Sequence, residues 1–365
     1  MPRYDIIMYG KVGIIMIKFV QYGCGKMSKY TIRYAMERGY ELVGAVDVNP
    51  AIIGKDVSCI LEEDDTGIII TSASDARSML ESVKPDVCII TTMSLMNDVK
   101  DALMMCAELG INAITTCEEA FYPFNSSPSL TRKIDDAARK NNCTITGSGY
   151  QDAFWGNLIS TICGATNKIT KIKGRTSYNV EDYGIALAEA HGAGLSLDDF
   201  DKKIASVDKI SDEERNKMIN DGVYQPSYMW NTNGWLCDKL GLTVLSQTQE
   251  CIPEIAQDDI YSSTLNMTIN KGFATGMSAK VTTTTKEGVV IETECVGKVY
   301  NESEFDSNEW TVYGEPDTTM IINRPATVEL TCATIVNRIP DLIKSEPGFI
   351  STSKMGELHY TKRLD

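Results

Sequence analysis

The 365-residue chain is expected to be an α/β protein, with a doubly wound parallel sheet followed by a second α+β domain built on a largely antiparallel sheet. Three observations predict it. Short apolar runs alternate with amphipathic segments from Ile17 to Gly147. Thr- and Val-rich stretches that alternate polar and apolar residues take over beyond Thr243. The length also exceeds the size at which one hydrophobic core stops growing, so two domains are the natural partition.

Taken in order, residues 17–22, 41–47, 68–71, 87–92, 113–117 and 143–147 read as strands. Residues 27–38, 76–83, 97–109 and 131–141 read as the helices between them. Strand and helix taking turns is the pattern of parallel strands joined by helical crossovers, and the near-continuous apolar character of the strands suits a sheet buried on both faces. Beyond Ser148, residues 153–164 read as a helix, 169–179 as a strand, and 196–221 as polar helical segments rich in Asp and Lys. Residues 243–250, 278–286, 289–299 and 311–313 read as antiparallel strands, with Lys286-Glu287-Gly288 as a hairpin turn. Pro325 precedes a final helical pattern, Val328, Leu330 to Ile335, Ile339 and Leu342-Ile343, stopped by Pro347 and Gly348. The expected boundaries are therefore residues 16–148, 149–324 and 325–365.

Composition narrows the function classes. A net charge of −15 and a sequence pI near 4.7 repel phosphate backbones and anionic lipid, which argues against nucleic-acid or membrane partners and for a small-molecule one. No apolar run approaches the ~18 residues a membrane span needs. Eleven cysteines are scattered singly with no Cys-x-x-Cys, which reads as reduced thiols in a cytoplasmic protein. Only His191 and His359 supply imidazoles, so no metal site is expected. The opening segment is interrupted by Arg3, Asp5 and Lys11 and has no small-residue cleavage site; it is not read as a signal peptide, and Met16 is an alternative start.

The first strand runs into Gly23-Cys24-Gly25-Lys26-Met27-Ser28, a Gly-x-Gly turn before a helix, with Ser28 where the third glycine of a dinucleotide fingerprint would stand. Glycines permit the tight turn and let backbone amides at a helix N-terminus approach a pyrophosphate. A Gly-x-Gly turn alone is equally at home in a purely structural loop. Context adds to it: Asp47 closes the second strand about twenty residues on, where a carboxylate accepts from the adenosine ribose hydroxyls. Gly23, Gly25, Lys26, Met27, Asp47 and Thr92 are the expected cofactor contacts of a Rossmann domain binding NAD or NADP. Asp47 favours NAD, because a ribose phosphate would meet like charge, although Asn49 and Lys55 nearby tolerate one.

The chemistry is expected at Thr115-Thr116-Cys117-Glu118-Glu119-Ala120-Phe121-Tyr122-Pro123. Ligands of an open α/β sheet bind beyond the carboxyl ends of its strands, and this strand ends on a pair of glutamates. Adjacent glutamates in a loop are ordinarily solvated charges. At a strand end beside a nicotinamide, one of them is desolvated and raised in pKa, which suits proton exchange with an amine. Glu118 is the candidate acid/base and amine anchor, and Glu119 a cap or a residue supporting the site from behind. Tyr150, Trp155, Tyr178 and Tyr183 read as a pocket wall or as ordinary core. Asn179 offers hydrogen bonds to a small polar substrate, and His191 borders the cleft or serves structure. Lys168, Lys171 and Lys173 lie on an expected surface strand without the apolar setting that lowers a lysine pKa, so Schiff-base chemistry is not expected.

Residues 117–123, 146–156 and 177–184 together resemble the native NAD(P)-dependent amine dehydrogenases, relatives of 2,4-diaminopentanoate dehydrogenase with a dihydrodipicolinate reductase-like N-terminal domain. The resemblance runs from Met16 to about His359. It implies reductive amination of a small ketone or aldehyde with ammonia, reversible to oxidation of a primary amine. It also implies a homodimer, a catalytic glutamate at Glu118, pocket aromatics at Tyr150, Trp155, Tyr178 and Tyr183, and a C-terminal helix that returns to the dinucleotide domain. The chain departs from its relatives in places. Diaminopentanoate dehydrogenases carry Glu-Glu-Met-Ala-Tyr-Pro and Gly-Ile-Asn-Pro-Gly where this chain has Glu118-Glu119-Ala120-Phe121-Tyr122-Pro123 and Gly149-Tyr150-Gln151-Asp152. Nothing matches the paired histidines of dihydrodipicolinate reductases, and Glu119 and Ala120 replace the Lys-Pro of related sugar oxidoreductases. A diaminopentanoate dehydrogenase-type activity, a catalytically silent dinucleotide sensor and an alcohol or hydroxy-acid dehydrogenase stand as the alternatives.

Overall fold

In the computed structural model, which describes residues 16–362, the chain divides into two units. The expectations for residues 1–15 lie outside the described residues. One unit comprises Met1–Pro123, Pro128–Ala153 and Thr327–Asp365; the other comprises Phe124–Ser127 and Phe154–Ala326.

The first unit alternates strand and helix as β1 (Lys18–Tyr22), α1 (Ser28–Glu37), β2 (Glu41–Asp47), α2 (Ser58–Leu61), β3 (Ile70–Ser72), α3 (Ala76–Val83), β4 (Val87–Ile90), α4 (Met96–Leu109), β5 (Asn112–Thr115), α5 (Pro128–Lys140) and β6 (Thr144–Gly147). The second unit holds α6 (Leu158–Gly164), β7 (Ile169–Asn179), α7 (Ile185–Ala190), α8 (Leu197–Lys203), α9 (Asp212–Asp221), α10 (Tyr228–Leu240), β8 (Val244–Ile255), β9 (Ile260–Ser262), β10 (Met267–Ile269), β11 (Ala274–Thr285), β12 (Val290–Lys298), β13 (Ser307–Gly314) and β14 (Thr318–Asn323). The chain then re-enters the first unit as α11 (Thr327–Lys344) and β15 (Gly348–Phe349).

Seven strands of the first unit lie in the order β15-β6-β5-β4-β1-β2-β3, every neighbouring pair parallel. The sheet is buried on both faces because its side chains alternate between two apolar layers. Val20, Val46, Cys88, Ile90, Ala113 and Ile145 pack with α3, α4 and α5, whereas Phe19, Ala45, Val87, Ile89 and Ile114 pack with α1 and α11. The final helix runs through Pro340 and ends at Lys344, a little before the Pro347-Gly348 stop the sequence suggests.

The second unit's main sheet has the order β14-β13-β7-β12-β11-β8 and is antiparallel except where β7 and β12 run side by side. Lys171 and Lys173 lie on the polar, solvent-reached face of β7 as expected, although β7 is interior to this sheet rather than at its edge, and Lys171 Nζ meets Glu292 at 2.7 Å. The opposite face is apolar. There Gly174 leaves room for the buried Trp310 ring, since a Cβ on it would come within 2.6 Å of the indole. Helix α10 packs Trp235 and Asn233 on the same unit; Asn233 is satisfied by Thr283 Oγ1 at 3.1 Å and Thr293 Oγ1 at 2.8 Å. The expected helix at residues 153–164 begins instead as a π-helix, Asp152–Asn157, before α6. Such wide turns recur at functional sites.

Candidate active site

The turn after β1 has the geometry of an anion cradle. Gly23 takes φ +91°, and a Cβ there would lie 2.7 Å from both the Thr91 carbonyl oxygen and Thr92 Cγ2, so only glycine fits. Gly25 is exposed with nothing within 4 Å of its missing Cβ. Lys26 and Thr92 are exposed and Met27 is half-buried. The N-terminus of α1 has no side-chain cap and no acidic residue in its first turn, so no carboxylate of that turn competes for the positive end of its dipole. Ser28 is buried and donates from Oγ to the Gly25 carbonyl at 2.7 Å, which explains a serine at the third fingerprint position.

Asp47 closes β2 at the same turn. Its Oδ2 accepts from Cys24 N at 2.6 Å and its Oδ1 from Asn49 N at 2.7 Å. The sequence reading missed Gln21, fully buried beneath the loop, which donates from Nε2 to the Gly23 carbonyl and to Thr91 Oγ1 at 2.8 Å each and accepts from Thr31 Oγ1 at 2.7 Å. A polar residue inside the apolar run Lys18-Phe19-Val20-Gln21-Tyr22 was the available signal. The glycine-only turn and the carboxylate of Asp47 beside it fit a dinucleotide at the end of β1. The two glycines separate folding from binding. Gly23→Ala is expected to lower the unfolding temperature, because the methyl strikes backbone. Gly25→Ala is expected to leave that temperature in place while raising the Kd for NADH about tenfold or more, read by NADH fluorescence. Equal effects of both substitutions in both assays would contradict this assignment.

Past β5, Thr116 and Cys117 are buried, and the two glutamates part company. Glu119 is only 3 % exposed, and its Oε2 accepts from Met96 N at 2.7 Å, capping the first turn of α4. Glu118 opens the 3₁₀ turn Glu119–Phe121 and remains half-buried. Burial raises its carboxyl pKa, and a hydrogen bond with Ser94 offsets part of the rise. Gly147, at the end of β6, lies against this turn so closely that a Cβ would overlap the Ala120 carbonyl. Burial pushes the Cys117 thiol well above its ordinary pKa, which argues against a nucleophilic role.

The remaining candidates fall into separate groups. Tyr150 is buried in the first unit and donates its backbone N–H to Thr331 Oγ1 at 3.3 Å. Trp155 is buried within the π-helix. In the second unit Tyr178, Tyr183 and His191 come together: the Tyr178 ring meets Tyr183 and His191 edge-on, with centroids 5.8 Å apart in each case, and Tyr178 Oη lies 2.7 Å from His191 Nε2. Tyr183 is 50 % exposed, while His191 is buried. Asn179 caps the 3₁₀ turn Val180–Tyr183, its Oδ1 accepting from Glu181 N at 3.2 Å. Gly297 also escaped the sequence reading; it pairs with Tyr178 across β7 and β12. Among the described residues no group of three or more His, Cys, Asp or Glu is placed to hold a metal, and no helix is long and apolar enough to cross a membrane.

A parallel seven-stranded sheet with a glycine cradle at the end of its first strand, together with a second mixed-sheet unit, defines a Rossmann-type two-unit fold. Solved structures agree: myo-inositol dehydrogenase from Lactobacillus casei superposes with a TM-score of 0.57 over 93% of this chain and 90% of its own, at 13% identity, a likeness of fold alone. Amine dehydrogenase from Mycobacterium smegmatis matches with a TM-score of 0.81 and 33% identity over 95% of this chain and 98% of its own. The 2,4-diaminopentanoate dehydrogenase C-terminal domain family matches residues 155–361. A curated 2,4-diaminopentanoate dehydrogenase from Acetoanaerobium sticklandii is 27% identical over 120 residues, 33% of this chain and 34% of the relative's length. The chain belongs to the 2,4-diaminopentanoate dehydrogenase family and is an oxidoreductase.

Proposed function

We propose that this chain is an NAD(P)-dependent amine dehydrogenase that reductively aminates a small ketone or aldehyde with ammonia and, in reverse, oxidises a primary amine. The observation that carries the reading is the division of labour between the two glutamates: Glu119 is committed to capping α4, and Glu118 keeps a half-buried carboxyl with a raised pKa. Such a carboxyl exchanges protons with an amine nearer neutral pH than an exposed one does. The match to an amine dehydrogenase along nearly the whole chain supports the same reading.

In the direction of amine synthesis Glu118 binds ammonium and takes one of its protons, so that the nitrogen lone pair attacks the carbonyl carbon. It then returns a proton to the departing hydroxyl as water leaves. The nicotinamide, when bound, supplies the hydride chemistry. Trp155, Tyr178 and Tyr183 of the second unit are assigned to the substrate by the family resemblance. The Gly23–Gly25 turn, Lys26, Met27 and Thr92 hold the dinucleotide, and Asp47 favours NAD by placing a carboxylate where a ribose phosphate would sit. The cysteines found free among the described residues suit a cytoplasmic, reducing setting. The homodimer is the assembly the family resemblance implies.

The test follows the absorbance of NADH and of NADPH with a panel of small ketones, aldehydes, keto acids and amino-keto acids, with and without ammonia. Cofactor consumption that requires ammonia is the expected result. Consumption without ammonia would instead indicate an alcohol or hydroxy-acid dehydrogenase, and binding of reduced cofactor without consumption by any panel member would indicate a sensor.

A further inference from the structure

The turn that follows β1 is tied down residue by residue within the first unit. Gly23 donates its N–H to the Val46 carbonyl at 2.8 Å, and its own carbonyl accepts from Gln21 Nε2 at 2.8 Å and from Thr91 Oγ1 at 3.0 Å. At the far end the Gly25 carbonyl accepts from Ser28 N at 3.0 Å and from Ser28 Oγ at 2.7 Å. Between these two ties the backbone is held by Asp47, whose Oδ2 accepts from Cys24 N at 2.6 Å. A bond from an N–H to an ionised carboxylate is of the strong kind. The carboxylate is itself anchored: Asp47 is the last residue of β2, and its Oδ1 accepts from Asn49 N at 2.7 Å. Each of its oxygens therefore already holds a backbone amide, and one of those amides belongs to the turn. Past Cys24 the chain is open, Gly25 and Lys26 being exposed, so the Asp47 bond is the last fixed point before the exposed part of the turn.

We propose that Asp47 is the positioning residue of the dinucleotide turn: through the Cys24 amide it holds the backbone from Gly23 to Met27 in the conformation that binds the cofactor, a task separate from contact with the adenosine ribose. The proposal rests on the NAD(P) part of the reading above and deepens it. Without the bond the turn samples other conformations, and the apparent Kd rises as the binding-competent fraction falls. The sign of the effect is diagnostic. Asp47 is also a negative charge beside the expected pyrophosphate, so a purely electrostatic role would make its neutralisation tighten dinucleotide binding. A role confined to the ribose would leave a cofactor without ribose hydroxyls untouched.

The experiment uses the full chain with no carbonyl or amine present and two ligands whose nicotinamide fluorescence reports binding: NADH, and the NADH analogue built on 2′,3′-dideoxyadenosine, which has no hydroxyls for Asp47 to read. Asp47→Ala is expected to raise the Kd for the dideoxy analogue about tenfold or more, the effect of losing one hydrogen bond to a charged group. The Kd for NADH should rise further, because the ribose contact is lost as well. Asp47→Asn, which keeps one acceptor oxygen for the Cys24 amide, should recover part of the loss for the analogue. An unchanged or lower Kd for the analogue in both variants would overturn the proposal. A second readout needs no ligand: by NMR hydrogen exchange of the apoprotein, the Cys24 amide should be slow in wild type and about tenfold or more faster in Asp47→Ala, with the amides of β1 as protected as before. Unchanged exchange at Cys24, or a loss of protection spread equally over β1, overturns it too. If wild type binds both ligands and Asp47→Ala spares the analogue, this inference alone fails; if wild type binds neither, the dinucleotide reading fails and takes this inference with it.

Discussion

Replacing Glu118 by Gln is expected to lower kcat for ammonia-dependent carbonyl reduction by about 10²–10⁴-fold, the usual contribution of one positioned acid/base group. Gln keeps the shape and one acceptor oxygen, so the Kd for NADH should not move. The same substitution has a second consequence, because a pKa shift is also a statement about stability. Burial raises the folded-state pKa of Glu118 above its value in the unfolded chain. The stabilisation that the protonated carboxyl provides is complete below the unfolded value and is lost as pH rises through the folded one. Above that window the ionised side chain burdens the apo fold. Glu118→Gln should therefore melt higher than wild type at neutral and alkaline pH, and the gap should close toward acid. Melting temperatures of both proteins across a pH series check this; parallel curves with a constant offset would mean that Glu118 does not titrate from a desolvated site. Activity loss together with stability gain is the signature expected of a group kept for chemistry rather than for the fold.

The framework of the first unit was legible because its strands and helices each obey a simple period. Strand β2 and helix α3 carry the bounds the apolar pattern suggests, as does β7 in the second unit. Helix α10 was missed for a physical reason. It buries Asn231, Thr232 and Asn233 along with Trp230, Trp235 and Leu236, so polar and apolar residues surround it without a stripe and the 3.6-residue period vanishes. The short strands β9, β10 and β15 offer two or three residues each, too few to show alternation, and depend on partners elsewhere. At the site, the cap that Glu119 supplies is to α4, which precedes β5 in the chain, so the contact that sets it apart from Glu118 lies across the sequence rather than next to it. Gln21 and Gly297 were silent because their meaning lies across the chain: Gln21 ties Gly23 to Thr91, and Gly297 makes room for a tyrosine and a histidine on other elements. Asn179 has a local role the sequence reading did not give it, its Oδ1 accepting from Glu181 N in its own turn.

Substitution of Arg338 by Met is expected to cost about 3–5 kcal/mol, the penalty for leaving a buried charge without its partner. Arg338, on α11, grips Asp152 with two hydrogen bonds, Nε to Oδ2 at 2.8 Å and Nη2 to Oδ1 at 3.2 Å, and both side chains are fully buried. The third nitrogen of the guanidinium is also engaged, Nη1 donating to Asp341 Oδ2 at 3.1 Å and to the Gly356 carbonyl at 2.7 Å. Ser148 Oγ completes the carboxylate's shell at 2.8 Å. Burial pulls the guanidinium pKa down, and the two aspartates more than offset it. For a unit of this size the loss corresponds to a fall in melting temperature of roughly 6–20 °C. The double substitution Arg338→Met with Asp152→Leu removes both charges and should be less destabilised than Asp152→Leu alone, because desolvating an ion pair costs about as much as the pair returns. Urea midpoints of the three variants decide it, additive losses counting against a coupled pair. The ion pair fastens Ser148 and Asp152, and hence the segment carrying Tyr150, to the C-terminal helix, so a smaller loss of activity in folded Arg338→Met protein should appear in KM for the carbonyl rather than in the Kd for NADH.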